Sequence, residues 1–353
     1  MAASAVSREW LDWVGQLAKG EPRARGLRSD PDRFACWLGK QPDLLVPRRF
    51  HRPTSMEGMV RSTDADECQL AWNPSCVFCE PGEVPTRLSG IEEWRDGFAL
   101  NDQSTAWVSD PDRAQWYPFW IEDELASRVR DAQQSGRTSG FDAHEREVLL
   151  EAGILTTAER SETAKKRWAD LVARNRERFR EHGYTAVDGL LHPFHIGELR
   201  RYYRRLIRRG CVALGDYQSA RRYVAHNEPT ERFFHLQLTG TVAQLVGEPV
   251  KPSYVYLASY LSGARLPRHT DREQCEFGIT FCLDYAPEPV GATPWPLHLE
   301  TSRGPVRVEQ ALGDALLYRG CELPHYRDPL PDGQISTSIF FHYVRADFLG
   351  SLS

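Results

Sequence analysis

His269 and Asp271 stand two residues apart in "LPRHTDREQCEFGITFCLDY", and a further histidine, His325, follows in "RGCELPHYRDPL". Imidazole and carboxylate are common ligands of first-row divalent metals. On an extended chain, residues i and i+2 point to one face. The spacing therefore predicts that His269 and Asp271, at the start of a β-strand, aim at a single point. Two imidazoles and one carboxylate on one face of a six-coordinate ion leave three positions open, an arrangement that suits iron(II) and oxygen activation. His-x-Asp alone arises easily by chance in a chain of 353 residues. It gains weight from a β-rich surrounding, from the Gly313-Asp314 turn and from a late histidine before the last long strand. The alternative is a hydrogen-bonded surface pair, with His325 as a turn residue.

The elements that must position these residues are legible in outline. After Pro252, "SYVYLASYL", "CEFGITFCLDY", "PLHLET", "PVRVEQ", "DALLYRG" and "ISTSIFFHYV" are short β-rich runs between Pro/Gly turns. Such spacing predicts a barrel or sandwich. Three helices precede them. Ser161 to Gly183 carries Trp168, Leu171, Val172, Asn175 and Phe179 at helical spacing, with Ser161 as cap and Gly183 as stop. "HPFHIGELRRYYRRLIRRG" predicts a second helix from Pro193 to Arg209, with His192 and His195 as capping or surface groups. "ERFFHLQLTGTVAQLVG" predicts a third, ending at Gly247. Further upstream, Asp142 and Glu145 have capping-box spacing, and Gly153 marks a helix end. Residues 1 to about 125 are rich in turns and aromatic side chains, expected to pack. The change of texture near residue 157 predicts two regions, 1–157 and 158–353.

Hydrophobic residues make up 41% and charged residues 26%, ordinary values for a globular protein. The net charge of −5 gives no electrostatic reason to bind nucleic acid or an anionic membrane. Only five of the 44 basic residues are lysines. No apolar run is long enough to span a membrane, and the N-terminal segment lacks the apolar core of a secretion signal. The eight scattered cysteines are therefore expected to be reduced thiols of a cytoplasmic protein. Cys76 and Cys79 form C-x-x-C with Cys68 upstream. A zinc site needs four ligands, for which His51 is the remaining candidate, whereas buried free thiols need none.

From about Arg178 to Val344 the chain resembles the iron(II)- and 2-oxoglutarate-dependent oxygenases. "REHGYTAVDGLLHPFHIGELRRYYRRLI" resembles the helical lead-in of their prolyl-hydroxylase-like and phytanoyl-hydroxylase-like members, and "YLSGARLPRHTD" their Y-x-x-G-x-x-L-x-x-H-x-D run. The resemblance implies an α+β fold: a double-stranded β-helix (jelly-roll) core with flanking helices, preceded here by an additional N-terminal α/β region. It implies Fe(II) held by His269, Asp271 and His325, 2-oxoglutarate as cosubstrate, and Tyr260 as one of its hydrogen-bonding partners. An aspartate at the middle ligand position implies hydroxylation or a related C–H oxidation rather than halogenation.

One departure stands out. The family anchors the distal carboxylate of 2-oxoglutarate with a cation on the last strand, where this chain has Ile335 and Ser336 in "GQISTSIFFHYV". Ser338 remains as a hydroxyl. A buried carboxylate without a cation is costly, so another arginine is expected to serve: Arg327 first, which Asp328 alternatively pairs, and Arg319 second. Arg272 and Gln274, just after the ligand pair, are expected at the mouth, touching substrate or supporting a ligand. The reading is a hydroxylase of an amino acid, peptide or natural-product substrate. A cupin-like metal enzyme without 2-oxoglutarate and a binding module on a degenerate barrel are the alternatives.

Overall fold

The computed structural model describes residues 70–81, 83–85 and 104–352. Contacts divide them into two compact units, one running to Ala173 and the other from Arg174.

The first unit contains a three-stranded antiparallel sheet in the order Cys76–Cys79, Thr105–Asp110, Gln115–Trp120. Two helices follow, Asp123–Gln134 and Ala143–Glu151. Asp142 caps the second in the expected reciprocal box with Glu145. Trp107, Phe119 and Trp120 are buried, as their packing role requires. So are the Cys76 and Cys79 thiols, which burial pushes up to about 12 and about 11. Cys68 and His51 lie outside the described residues.

The helix expected from Ser161 begins earlier and spans Ala158–His182. Thr157 is the capping hydroxyl, accepting from the Arg160 N–H at 3.1 Å. Gly183 ends it at φ +76°, where a side chain would be strained. The helix Pro193–Arg208 forms as expected, with His192 Nδ1 accepting from the Phe194 N–H, but His195, expected as a capping or surface group, is buried. The third expected helix is two, Pro229–Gln237 and Thr239–Val246, separated at Leu238. The run Thr239-Gly240-Thr241 has low helix propensity, which lets the chain turn there.

The second unit is built on two antiparallel sheets. The larger has seven strands in the order Tyr184–Val187, Ala315–Arg319, Phe277–Ala286, Ile335–Arg345, Val250–Leu261, Arg222–His226, Ala213–Leu214. The smaller has four: Leu266–His269, His325–Arg327, Leu297–Thr301, Gly304–Val308.

Alternation along the strands gives the larger sheet two unlike faces. One is a ladder of apolar residues: Leu257 opposite Ile339, Val255 opposite Phe341, and Phe281 and Ile279 opposite the same pair. All six are fully buried, each contributing about 1.5–3 kcal/mol. Phe277, on the same face, packs against Phe179 of the long helix. The other face carries Tyr318, Thr280, Ser336, Ser338, Ala258, Tyr260 and Arg222. Leu266, Leu297 and Leu299 of the smaller sheet pack with Leu316 and Tyr318 of the larger, so the polar face looks toward the smaller sheet.

Candidate metal centre

His269, Asp271 and His325 come together. His269 Nε2 lies 3.5 Å and His325 Nε2 3.6 Å from the same Asp271 oxygen, Oδ1. The two imidazole rings are 4.4 Å apart between centroids. The expected reason for this meeting needs correction. His269 ends the strand Leu266–His269 instead of starting one, and Asp271 lies beyond it. What positions Asp271 is its own N–H, which donates to Gly320 O at 2.9 Å. His325 begins the neighbouring short strand, directly opposite His269 in the antiparallel ladder.

Each imidazole is also oriented. His269 Nδ1 sits 2.8 Å from Pro267 O, and His325 Nδ1 sits 2.9 Å from Leu323 O. In both cases the carbonyl belongs to the residue two positions earlier. A carbonyl only accepts, so each Nδ1 carries a proton, and Nε2 is the nitrogen that offers a lone pair when the ring is neutral. Metal-binding histidines are commonly held this way.

The charges agree with that donor set. Burial pushes the Asp271 carboxyl up, but the His269 hydrogen bond and the charges of His325 and His342 outweigh it, leaving it below the ordinary carboxylate value. The hydrogen bond to Asp271 raises His269 above the ordinary histidine value. Burial lowers His325, and the charges of His269 and Arg327 act in the same direction.

Several neighbours lie too far along the chain for motif reading to connect. Tyr318 donates to Asp271 Oδ2 at 3.5 Å and packs its ring against His325. Gly320 is needed for space: a Cβ there would lie 2.3 Å from Asp271 Oδ2 and 2.5 Å from Cys275 O. His342 and Cys275 form with Asp271 a second group whose ligand atoms lie within 4.8 Å of one another. Only the register reveals His342, in one row with Gly278 and Tyr318. Burial pushes its imidazole down to about 4.

The expected cosubstrate residues separate. Tyr260 is buried on the polar face, T-stacked on Trp295, and its hydroxyl accepts from Arg222 Nη1 at 2.9 Å. That leaves the Tyr260 proton available to donate. Ser338 is buried on the same face, opposite Ala258. Arg327 follows His325 by two residues in one short strand, and both are buried. It does not pair with Asp328, whose carboxylate instead meets His298. Arg319 is a correction. It stands opposite Phe277, its guanidinium lies over the Phe179 and Phe277 rings, and Nη1 donates to Glu322. Because Tyr318 occupies the polar face, alternation sends Arg319 to the other.

Of the two expected mouth residues, Arg272 stacks on the Tyr254 ring and donates to its hydroxyl at 3.1 Å. Gln274 lies in the short 3-10 helix Glu273–Cys275, and its main-chain carbonyl accepts from Ser253 Oγ.

No protein-family model matches the chain, and no curated protein does. Similar solved structures include the non-heme alpha-ketoglutarate-dependent epimerase SnoN from nogalamycin biosynthesis, 15% identical, with a TM-score of 0.43 over 50% of this chain and 84% of SnoN. A Burkholderia pseudomallei oxidoreductase of the 2OG-Fe(II) oxygenase family is 14% identical, with a TM-score of 0.41 over 51% of this chain and 92% of that one. A Pseudomonas putida prolyl-4-hydroxylase is 17% identical, with a TM-score of 0.39 over 48% of this chain and 98% of that one. These relatives in structure are 2-oxoglutarate-dependent iron enzymes or a prolyl hydroxylase. SnoN has also been solved with Fe3+, alpha ketoglutarate and nogalamycin RO.

Proposed function

We propose that this chain is an iron(II)-dependent oxygenase that uses 2-oxoglutarate and dioxygen to hydroxylate a C–H bond of a small-molecule or peptide substrate. The observation that carries the reading is the pair of oriented imidazoles converging on one oxygen of Asp271. Two nitrogens and one carboxylate fit Fe(II) with open positions. The two facing antiparallel sheets are read as a double-stranded β-helix. In the same reading, residues 158–353 form the helical lead-in and oxygenase domain, and 1–157 a separate N-terminal region. A cytoplasmic location fits the absence, among the described residues, of a helix long and apolar enough to cross a membrane. The net charge gives no reason to expect a nucleic-acid partner.

His269, Asp271 and His325 hold the iron. Bound, it supplies dioxygen activation: 2-oxoglutarate, dioxygen and R–H become succinate, carbon dioxide and R–OH. The remaining residues bind and orient. Gly320 O holds the Asp271 main chain, Tyr318 holds its carboxylate, and Pro267 O and Leu323 O hold the imidazoles. Tyr260 and Ser338 offer hydroxyls to the cosubstrate, and Arg272 and Gln274 stand at the mouth. A metal enzyme with a different cosubstrate is favoured by one feature, the absence of a cation at Ile335 and Ser336.

Anaerobic titration of the protein with Fe(II), with and without 2-oxoglutarate, separates the two readings. A weak visible charge-transfer band appearing only with both is the expected result. Iron uptake without such a band would favour the different cosubstrate.

A further inference from the structure

We infer that Arg327 anchors the distal carboxylate of the cosubstrate, replacing the last-strand cation whose place Ile335 and Ser336 take. The inference rests on the reading that the iron site takes a 2-oxo diacid.

Three arginines of the second unit are buried: Arg200, Arg222 and Arg327, at 7%, 3% and 5% exposure. The first two have acidic partners. Arg200 pairs with Asp284 at 2.9 Å and Glu288 at 2.7 Å. Arg222 Nε donates to Asp216 at 3.0 Å. Arg327 pairs with no carboxylate among the described residues. Its Nη1 donates to Trp295 O, and its Nη2 donates to Gln310 Oε1 at 3.0 Å. Both acceptors are neutral. A guanidinium has five N–H donors, so most of its donor capacity and all of its charge are left uncompensated. Burying a charge without a counter-charge is costly. A carboxylate ligand removes that cost and can bind a guanidinium through two parallel hydrogen bonds.

The position fits an anion that also reaches the metal. Arg327 follows His325 by two residues on one strand and shares its buried side, about 6.6 Å along the chain. Its orientation is built in. The guanidinium lies over the Trp295 ring, 4.7 Å from the centroid, and Trp295 packs on Tyr260. Gln310 Nε2 donates to Thr280 O at 3.0 Å, which turns its oxygen toward Arg327. Arg222 also lies beside Tyr260, but Asp216 already neutralises it. The chemical class is therefore an oxo acid with a second carboxylate, entering from the His325 strand instead of the last one.

The test compares 2-oxoglutarate with 2-oxobutyrate, which keeps the oxo-acid end and lacks the distal carboxylate. Dissociation constants are measured anaerobically by calorimetry on the Fe(II)-loaded full chain and on Arg327→Met and Arg327→Gln. Each variant is first shown to take up one iron per chain. The parent should prefer 2-oxoglutarate by about 30-fold or more, and both neutral variants should bind the two ligands nearly equally. Arg327→Gln retains a hydrogen-bonding side chain, so the comparison survives if Arg327→Met fails to fold. Undiminished preference in a folded variant overturns the anchor. So does equal binding of the two ligands by the parent, which leaves the metal assignment intact. Failure of the iron-loaded parent to bind either ligand overturns the oxygenase reading itself.

Discussion

The imidazoles of His269 and His325 are each held by a carbonyl two residues earlier in the same segment, so orientation is local while convergence is long-range. This explains what sequence spacing revealed. His-x-Asp and a late histidine pointed to three residues that the fold brings together, but a strand's same-face rule was not what joins His269 to Asp271. Tyr318 and His342 could not be connected to them without the strand register. The His269 environment also predicts a pH dependence. Iron binds the neutral imidazole, whereas the hydrogen bond to Asp271 favours the protonated one in the metal-free protein and raises its pKa. Iron affinity should therefore be constant above that raised value and fall about tenfold per pH unit below it. Burial shifts His325 the other way. Iron titrations at descending pH, begun above that raised value, follow the fall. A flat affinity as the pH falls would contradict the proposed His269–Asp271 interaction.

The strand rows decide which side chains reach the site. Tyr285, Ser336, Tyr260 and Arg222 form one row across four strands; Tyr318, Gly278 and His342 form another. The β-rich runs were legible because Val, Ile, Phe and Tyr alternate with smaller or polar residues between clear turns. Which parity faced the smaller sheet was not legible in a run as short as "ALLYR", so Arg319 was expected on the wrong face. The helix limits had a similar fault: Ser161 and Thr157 are both capping residue types, and only the backbone shows which hydroxyl accepts. At this scale Gly320 makes the sharpest prediction. It lies just beyond the strand Ala315–Arg319, where added bulk meets both Asp271 and a main-chain carbonyl. Gly320→Ala should weaken iron binding about 10–100-fold by displacing the ligand carboxylate, with a stability loss of about 1–3 kcal/mol from overpacking. Calorimetric iron titration and denaturant unfolding measure the two effects. Unchanged iron affinity would mean that the Asp271 position does not depend on this contact.

At the scale of the whole molecule, every residue assigned to the metal and cosubstrate lies in the unit that begins at Arg174. Its larger sheet supplies a close-packed apolar face and a polar face toward the candidate site, so the same strands support both the core and the site. The sequence change near residue 157 suggested where the N-terminal region ends, but the short motifs upstream carried no comparable chemical signal. The central claim is that one iron binds the triad, rather than the overlapping group of Asp271, Cys275 and His342. Iron stoichiometry of the full chain, measured anaerobically alongside its circular dichroism, tests this directly. The parent should bind one Fe(II). His269→Ala, Asp271→Ala and His325→Ala should bind none while remaining folded, and His342→Ala and Cys275→Ala should retain it. Stoichiometric iron in the His269 and His325 variants, with loss in those of His342 and Cys275, would contradict the account.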